Sequence, residues 1–281
     1  MVTFSNFNHH APRRIAVLDS GVGGLDFVQR IREARANVAA ITYLADDRHF
    51  PYGGRSALEL TERLRHWMRV CEERRIADLF IACNSATVAW ERSRLIEEFP
   101  TMRVHGILDA GARAAVWSGA EIVGVAATEF TVASQAYPEA ILTYRTNRRQ
   151  KVIQKALPDF ASLIEAGDRG SKKLRSIIAD TVKEMLCARA KALVLGCTHY
   201  PLVEQLWREA LPNEVALINP AVEMANTMGI RAPGVLYSTP TLEFIASGDL
   251  ALFMRKTSRV MHSLSWGREN GGGRAPQGIA C

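Results

Sequence analysis

Short apolar runs rich in β-branched residues alternate along this chain with segments of helical period. The runs are IAVLD (15–19), ITYLAD (41–46), DLFIACN (78–84), VHGILD (104–109), EIVGVAA (121–127), ALVLGC (192–197) and VALINP (215–220). Between them, apolar side chains recur at spacings of three and four. Leu60, Leu64, Trp67, Met68 and Cys71 form one such stripe, and Ile178, Val182, Met185 and Leu186 another. A strand that is followed by an amphipathic helix is returned to a parallel neighbour, so the alternation predicts an α/β fold built on parallel sheets.

A chain of 281 residues, 48% of them hydrophobic, exceeds the usual size of one domain and can bury a large core. Residues 1–12 are polar and end at a proline, and the tail from Gly267 is glycine-rich; both read as flexible termini. The five cysteines include no CxxC pair, and no His or Cys stands at zinc-ligand spacing, which fits a reducing compartment and no metal. No basic stretch leads into a signal-like apolar segment, and no run approaches 18 apolar residues, so the expectation is a soluble, cytoplasmic protein without membrane contact. The net charge of +6 is densest in YRTNRRQKVIQK (144–155). With no zinc finger, RNP-like aromatic motif or basic zipper beside it, that stretch reads as a solvated helix face and weighs against nucleic-acid binding.

In open α/β sheets, ligands bind beyond the carboxyl ends of the strands, where loops converge and helices present free amides. Cys83 and Cys197 both stand at such ends, as do Asp19, Ser20, Asp46, Asp47, Asp109 and Thr128. Each of the two cysteines leads into a helical segment. Asn84 or Ser85 is expected to cap the first, and Pro201 falls in the opening turn of the second, so amide dipoles should stabilise either thiolate. Taken singly, each cysteine is as well explained as a small hydrophobe closing a strand. Two at equivalent junctions, each with hydrogen-bonding neighbours, fit a pair of acid–base groups flanking one carbon; a nucleophile with a resolving thiol is the competing chemistry. Cys71, on an apolar stripe, and Cys187, late in a helix, read as inert, and the terminal Cys281 as exposed.

Next to Cys197, His199 can bond a reacting group, supply a proton or cap its helix. Asp19 can orient a cationic amine, raise the basicity of a thiol or cap the helix after SGVGGL. That turn, with Gly21, Gly23 and Gly24, and the later Asp46 resemble a nucleotide site only loosely, since neither GxGxxG nor GxxxxGK[ST] is present. Glycines that let a substrate carboxylate approach the backbone are the simpler reading. DRHFPYGGRS is too polar and turn-rich for the core and is expected to form a cleft loop in which Tyr52 supplies an aromatic wall and a hydroxyl.

IAVLDSGVGGL, FPYGGRS, ACNSA and LGCTHYPL occur in the order and spacing of the glutamate racemases, and the chain resembles that branch of the cofactor-independent aspartate/glutamate racemase family from about Arg14 to the low 220s. The resemblance implies two similar α/β domains with the active site between them and neither pyridoxal phosphate nor metal. The expected division is 13–103 plus 214–266 for the first domain and 104–213 for the second, with crossings near Arg103 and Asn213. It further implies that one thiolate removes the Cα proton of glutamate while the opposite thiol returns one to the other face. Cys83 and Cys197 match the catalytic pair. Asp19, Ser20, Tyr52, Gly53, Asn84, Thr198 and His199 match substrate contacts, and Ser85 stands where threonine is usual. Asp19 and His199 are the expected supporting acid–base groups. The implied role is supply of D-glutamate for cell-wall peptidoglycan, with an amino acid as the small-molecule partner and a homodimer left open. Three departures bear on substrate choice: Phe130 where a small residue is usual, Asn219-Pro220 for an acidic and a small residue, and Asp109-Ala110 for Glu-Pro. They motivate two alternatives, a racemase of aspartate or another amino acid, and a catalytically silent ligand-binding or regulatory protein.

Overall fold

The computed structural model describes residues 13–34, 37–144, 150–228, 239–264 and 277–280. Two all-parallel sheets organise them. The first contains Arg13–Asp19 (β1), Val38–Ala45 (β2), Asp78–Ile81 (β3) and Arg103–Gly106 (β4); the second contains Ile122–Ala127 (β5), Lys151–Ala156 (β6), Ala192–Gly196 (β7) and Ala216–Ile218 (β8). Thr241–Ala246 (β9) and Gln277–Ala280 (β10) extend the first sheet beyond β2, giving the orders β10-β9-β2-β1-β3-β4 and β6-β5-β7-β8. The α/β expectation therefore holds, and the two sheets repeat one plan. In each, the second strand lies on one side of the first and the third and fourth lie on the other. This places a topological switch point between β1 and β3 and another between β5 and β7.

Period-two alternation divides each sheet's core. Along β1, Ile15 and Val17 enter one apolar cluster while Ala16 and Leu18 enter another on the opposite face. Along β7, Leu193 and Leu195 are separated in the same way from Ala192 and Val194. Strands covered on both faces by helices read as nearly continuous apolar runs, which is why β1, β5 and β7 are legible in the sequence. The helix Ala57–Glu73 buries Leu60, Leu64, Trp67, Met68 and Cys71 as its spacing predicts, and it starts with a capping box in which Ser56 and Glu59 bond reciprocally.

Several elements differ from expectation. The run VHGILD is a strand only as far as Gly106. Ile107 opens the helix Ile107–Trp117, so Asp109 lies in a helix first turn and not at a strand end. Of the basic stretch 144–155, Tyr144 ends a helix and residues 151–155 lie in the edge strand β6, while 145–149 are outside the described residues. The tail read as flexible contains β10, and the N-terminal arm and Cys281 lie outside the described residues. Cys187 is exposed at the end of the helix Lys172–Cys187. Strand β4 pairs with β3 in the first sheet and β8 with β7 in the second. Among the described residues, no helix is long and apolar enough to cross a membrane.

Candidate active site

Parallel registry brings the carboxyl ends of the strands to a common level in each sheet. Asp19 pairs with Ala45 and Leu18 with Ile81 in the first, and Ala127 with Gly196 in the second. Cys83 therefore follows β3, and Cys197 follows the equivalent strand β7. The two sheets turn these ends toward one another. One cavity of about 290 Å³ is lined by Ser20, Phe50, Pro51, Tyr52, Gly53, Cys83, Asn84, Ser85, Thr128, Ala161, Cys197, Thr198 and His199. Every site residue expected from the sequence is in this lining except Asp19, which lies fully buried beside it. Both thiols are only 6% exposed, so the cavity is nearly shut.

Cys83 occupies the N-cap of the helix Asn84–Arg92, a position expected for Asn84 or Ser85. Burial pushes its thiol well above the ordinary range, and the charge of Asp19 adds to this. The amides of Ala86 and Ser85 oppose the shift without cancelling it. The expected stabilised thiolate is thus a protonated thiol in the closed cavity, because desolvation outweighs two helix amides. Cys197 leads instead into a short 3-10 turn, Tyr200–Val203, with Pro201 in its opening, followed by the helix Glu204–Ala210.

Hydrogen-bond donors and acceptors surround the thiols. The Tyr137 hydroxyl donates to Asn84 Oδ1 at 2.8 Å, while the buried Asn84 Nδ2 has no partner among the described residues. Ser85, Thr128 and Thr131 form a hydroxyl cluster, with Ser85 Oγ 3.0 Å from Thr128 Oγ1. Asp19 accepts the Gly21 amide at 2.9 Å instead of capping a helix, and burial raises its pKa against the pull of His199 and Thr198. Gly23 serves close packing: a Cβ there would lie 2.4 Å from Thr198 Oγ1 and 2.7 Å from His199 Nδ1. The glycine turn is filled by the protein's own side chains, which removes the phosphate-loop reading.

Asp46 is equally committed. Its carboxylate receives the Tyr52 hydroxyl at 2.6 Å, Arg63 Nε and Nη2 at 2.8 and 3.1 Å, and His49 Nδ1 at 3.0 Å. Burial alone would raise its pKa, but the bonds from Arg63 and Tyr52 prevail and lower it to about 2. The Tyr52 hydroxyl is therefore spent on Asp46, and the ring alone faces the cavity. Tyr52→Phe is expected to cost about 1.5–3 kcal/mol, the range for a hydrogen bond to a charged group, measured by urea unfolding at neutral pH. An unchanged midpoint would show that the loop is held by Arg63 and His49 alone.

The structure adds residues with no local sequence signal. Glu165, at the end of the helix Phe160–Glu165, accepts His199 Nε2 at 2.8 Å and the Val22 amide at 3.2 Å through one oxygen, and Lys256 Nζ at 3.1 Å through the other. Both members of the His199–Glu165 pair are buried. Desolvation disfavours each charge, yet the contacts with Cys197 and Glu165 hold His199 above the ordinary imidazole range, and those with His199 and Lys256 hold Glu165 below the ordinary carboxylate range. The Phe50 ring covers the imidazole, with centroids 5.1 Å apart.

Of the three departures from the racemase pattern, Phe130 and Asp109 lie away from this cavity, whereas Asn219 and Pro220 line an adjoining space that shares Asn84, Cys197 and Thr198 with it. Phe130 packs against the cores of both sheets and is not in the lining, so the ring does not intrude on a carboxylate site. Asp109 bonds Tyr144 and pairs with Arg113 at 3.3 Å. Asn219 donates to the buried Asp26 at 2.7 Å beside a neighbouring cavity of about 220 Å³. Among the described residues, no group of three or more His, Cys, Asp or Glu could hold a metal ion.

The model of the Asp/Glu/Hydantoin racemase family matches residues 26–228. A glutamate racemase of Stutzerimonas stutzeri is 36% identical over 256 residues, covering 90% of this chain and 94% of that protein. One from Pseudomonas putida is 36% identical over 214 residues, covering 76% and 79%. Among solved structures, a glutamate racemase isoform from Bacillus anthracis superposes with a TM-score of 0.80 at 26% identity, covering 97% of this chain and 98% of that one. The glutamate racemase from Francisella tularensis, determined in complex with D-glutamate, shares the fold with a TM-score of 0.76 at 22% identity, covering 96% of this chain and 97% of that one. Two parallel sheets of one plan, paired thiols at equivalent strand ends and a family match over most of the chain lead to one assignment: the chain belongs to the Asp/Glu/Hydantoin racemase family.

Proposed function

We propose that the protein interconverts L-glutamate and D-glutamate with Cys83 and Cys197 as paired acid and base, and so provides D-glutamate for cell-wall peptidoglycan. The observation that carries this reading is the closed cavity that holds both thiols together with an unpaired amide donor, Asn84 Nδ2. The substrate assignment draws on the glutamate racemases that the chain matches along most of its length.

The proposed chemistry begins with binding. The α-carboxylate is held by Asn84 Nδ2 and the hydroxyls of Ser85 and Thr198, while the α-ammonium lies toward Asp19. A cation arriving next to Cys83 offsets the desolvation that keeps this thiol protonated, so the thiol gives up its proton to solvent as substrate binds and the thiolate forms. The thiolate on one face takes the Cα proton and becomes a thiol. The electron pair left on Cα spreads into the α-carboxylate, where the same donors stabilise it in a site shielded from water. The thiol on the other face then delivers its proton to Cα and becomes thiolate. The inverted product leaves with the two sulfurs exchanged in protonation state.

The test is proton NMR in D2O, following the Cα signal of each glutamate enantiomer with purified protein and no added cofactor. Loss of the signal from both enantiomers, with formation of the mirror product, is expected. Exchange with aspartate or another amino acid but not glutamate would move the substrate and keep the mechanism. Binding without exchange across a panel of amino acids would support the silent binding protein.

A further inference from the structure

We propose that Lys256 is a positioning residue that acts through Glu165 to set the proton affinity of the His199 imidazole beside Cys197. Lys256 lies on the helix Leu250–Ser263, packed beside the first sheet. Glu165 and His199 belong to segments of the second sheet's layer, so the lysine reaches across the cleft to bond Glu165 Oε1 at 3.1 Å. Its side chain is 30% exposed, whereas those of Glu165 and His199 are 4% and 2% exposed. A charge near the surface thus ends on a buried carboxylate whose other oxygen holds the imidazole.

Charge arithmetic gives the lysine its effect. With the imidazole protonated, Lys256, Glu165 and His199 together carry one positive charge; with it neutral, they carry none. Without the lysine, the same two states carry zero and one negative charge. Lys256 therefore disfavours the imidazolium and keeps the His199 proton transferable. Asp19, Tyr43, Asp47, Cys197 and Arg169 also face this pair, and their charges are the background against which the lysine acts. The transfer at stake moves one proton from a His199 ring nitrogen to the Cys197 sulfur when that thiolate is formed, leaving a neutral imidazole; Glu165 remains a carboxylate throughout. An imidazole that holds its proton too firmly slows this step without altering substrate contacts.

The inference rests on the proposed two-thiol racemisation, and the experiment separates the two. Lys256→Met retains the aliphatic stem and removes the charge; Lys256→Arg restores the charge. In Lys256→Met, kcat is expected to fall about tenfold with KM within about twofold, since the loss is of proton transfer and not of binding. The alkaline limb of the kcat profile is expected to move up by about one pH unit, and Lys256→Arg to recover both. An unchanged kcat and profile, a loss confined to KM, or an arginine variant as impaired as the methionine variant would overturn the role. A second readout needs no turnover. In substrate-free protein labelled at histidine and assigned with His199→Gln, the His199 ring is expected to titrate at higher pH in Lys256→Met than in wild type, and an unmoved titration also overturns the proposal. Failure of the wild-type protein to racemise glutamate counts against the substrate reading alone, because the ring titration still decides the lysine.

Discussion

Cys83→Ala and Cys197→Ala are each expected to lower racemisation by about 10³-fold or more, within or above the span that a positioned acid–base group contributes. Each thiol serves one face of Cα, and the other titratable groups of the lining, His199 and Tyr52, are bonded to Glu165 and Asp46. Enantiomers in water are equal in free energy, so kcat/KM must be the same in both directions. Removing either sulfur therefore slows L-to-D and D-to-L conversion equally, whichever enantiomer it deprotonates. Polarimetry from each pure enantiomer measures this directly. Both cysteines also border an apolar cluster and the substitution removes only a sulfur, so folding is expected to survive. Full racemisation by either variant would eliminate the two-thiol mechanism and leave the nucleophile-with-resolving-thiol chemistry to be considered.

The second large effect concerns stability. Glu165→Gln removes the countercharge of a buried imidazolium and leaves Lys256 facing it, a loss expected to cost about 3–5 kcal/mol. Its pH signature follows from the two shifts. Glu165 titrates below its unfolded value, so its contribution is complete above about pH 4.3 and is lost as pH falls further. His199 titrates above its unfolded value, so its contribution is complete below about pH 6.5 and is lost as pH rises. The difference between wild type and Glu165→Gln should be widest between about pH 4.3 and 6.5 and narrow on both sides. Urea unfolding of the two proteins from well below to well above that range is the measurement. A penalty independent of pH would assign the effect to packing.

What could be read from residues alone is what local pattern encodes. Apolar runs such as IAVLD and ALVLGC are strands because a parallel strand covered on both faces must be apolar along its length. Each of those runs ends where the backbone is released toward a cleft, so Cys83 and Cys197 could be placed at equivalent sites by their position in the strand-to-helix pattern. The edge strand β6, with every residue at least partly accessible, carries no comparable signature and was not distinguishable from a basic helix. Asp46 and Phe130 show the converse limit. Both residue types are as expected, but only the fold reveals that the aspartate is consumed by Arg63, Tyr52 and His49, and that the phenylalanine bridges two cores.

The α/β class, the helix stripes and the presence of two thiols at strand ends could be read from residue order, because these depend on periodicity over a few turns or pleats. That both thiols share one closed cavity, that burial keeps Cys83 protonated, and that Glu165 joins His199 to a lysine 91 positions from it emerge with the assembled fold. Desolvation and charge pairing depend on what surrounds a group in space, and in this chain those surroundings come from two sheets and a late helix that no local pattern brings together.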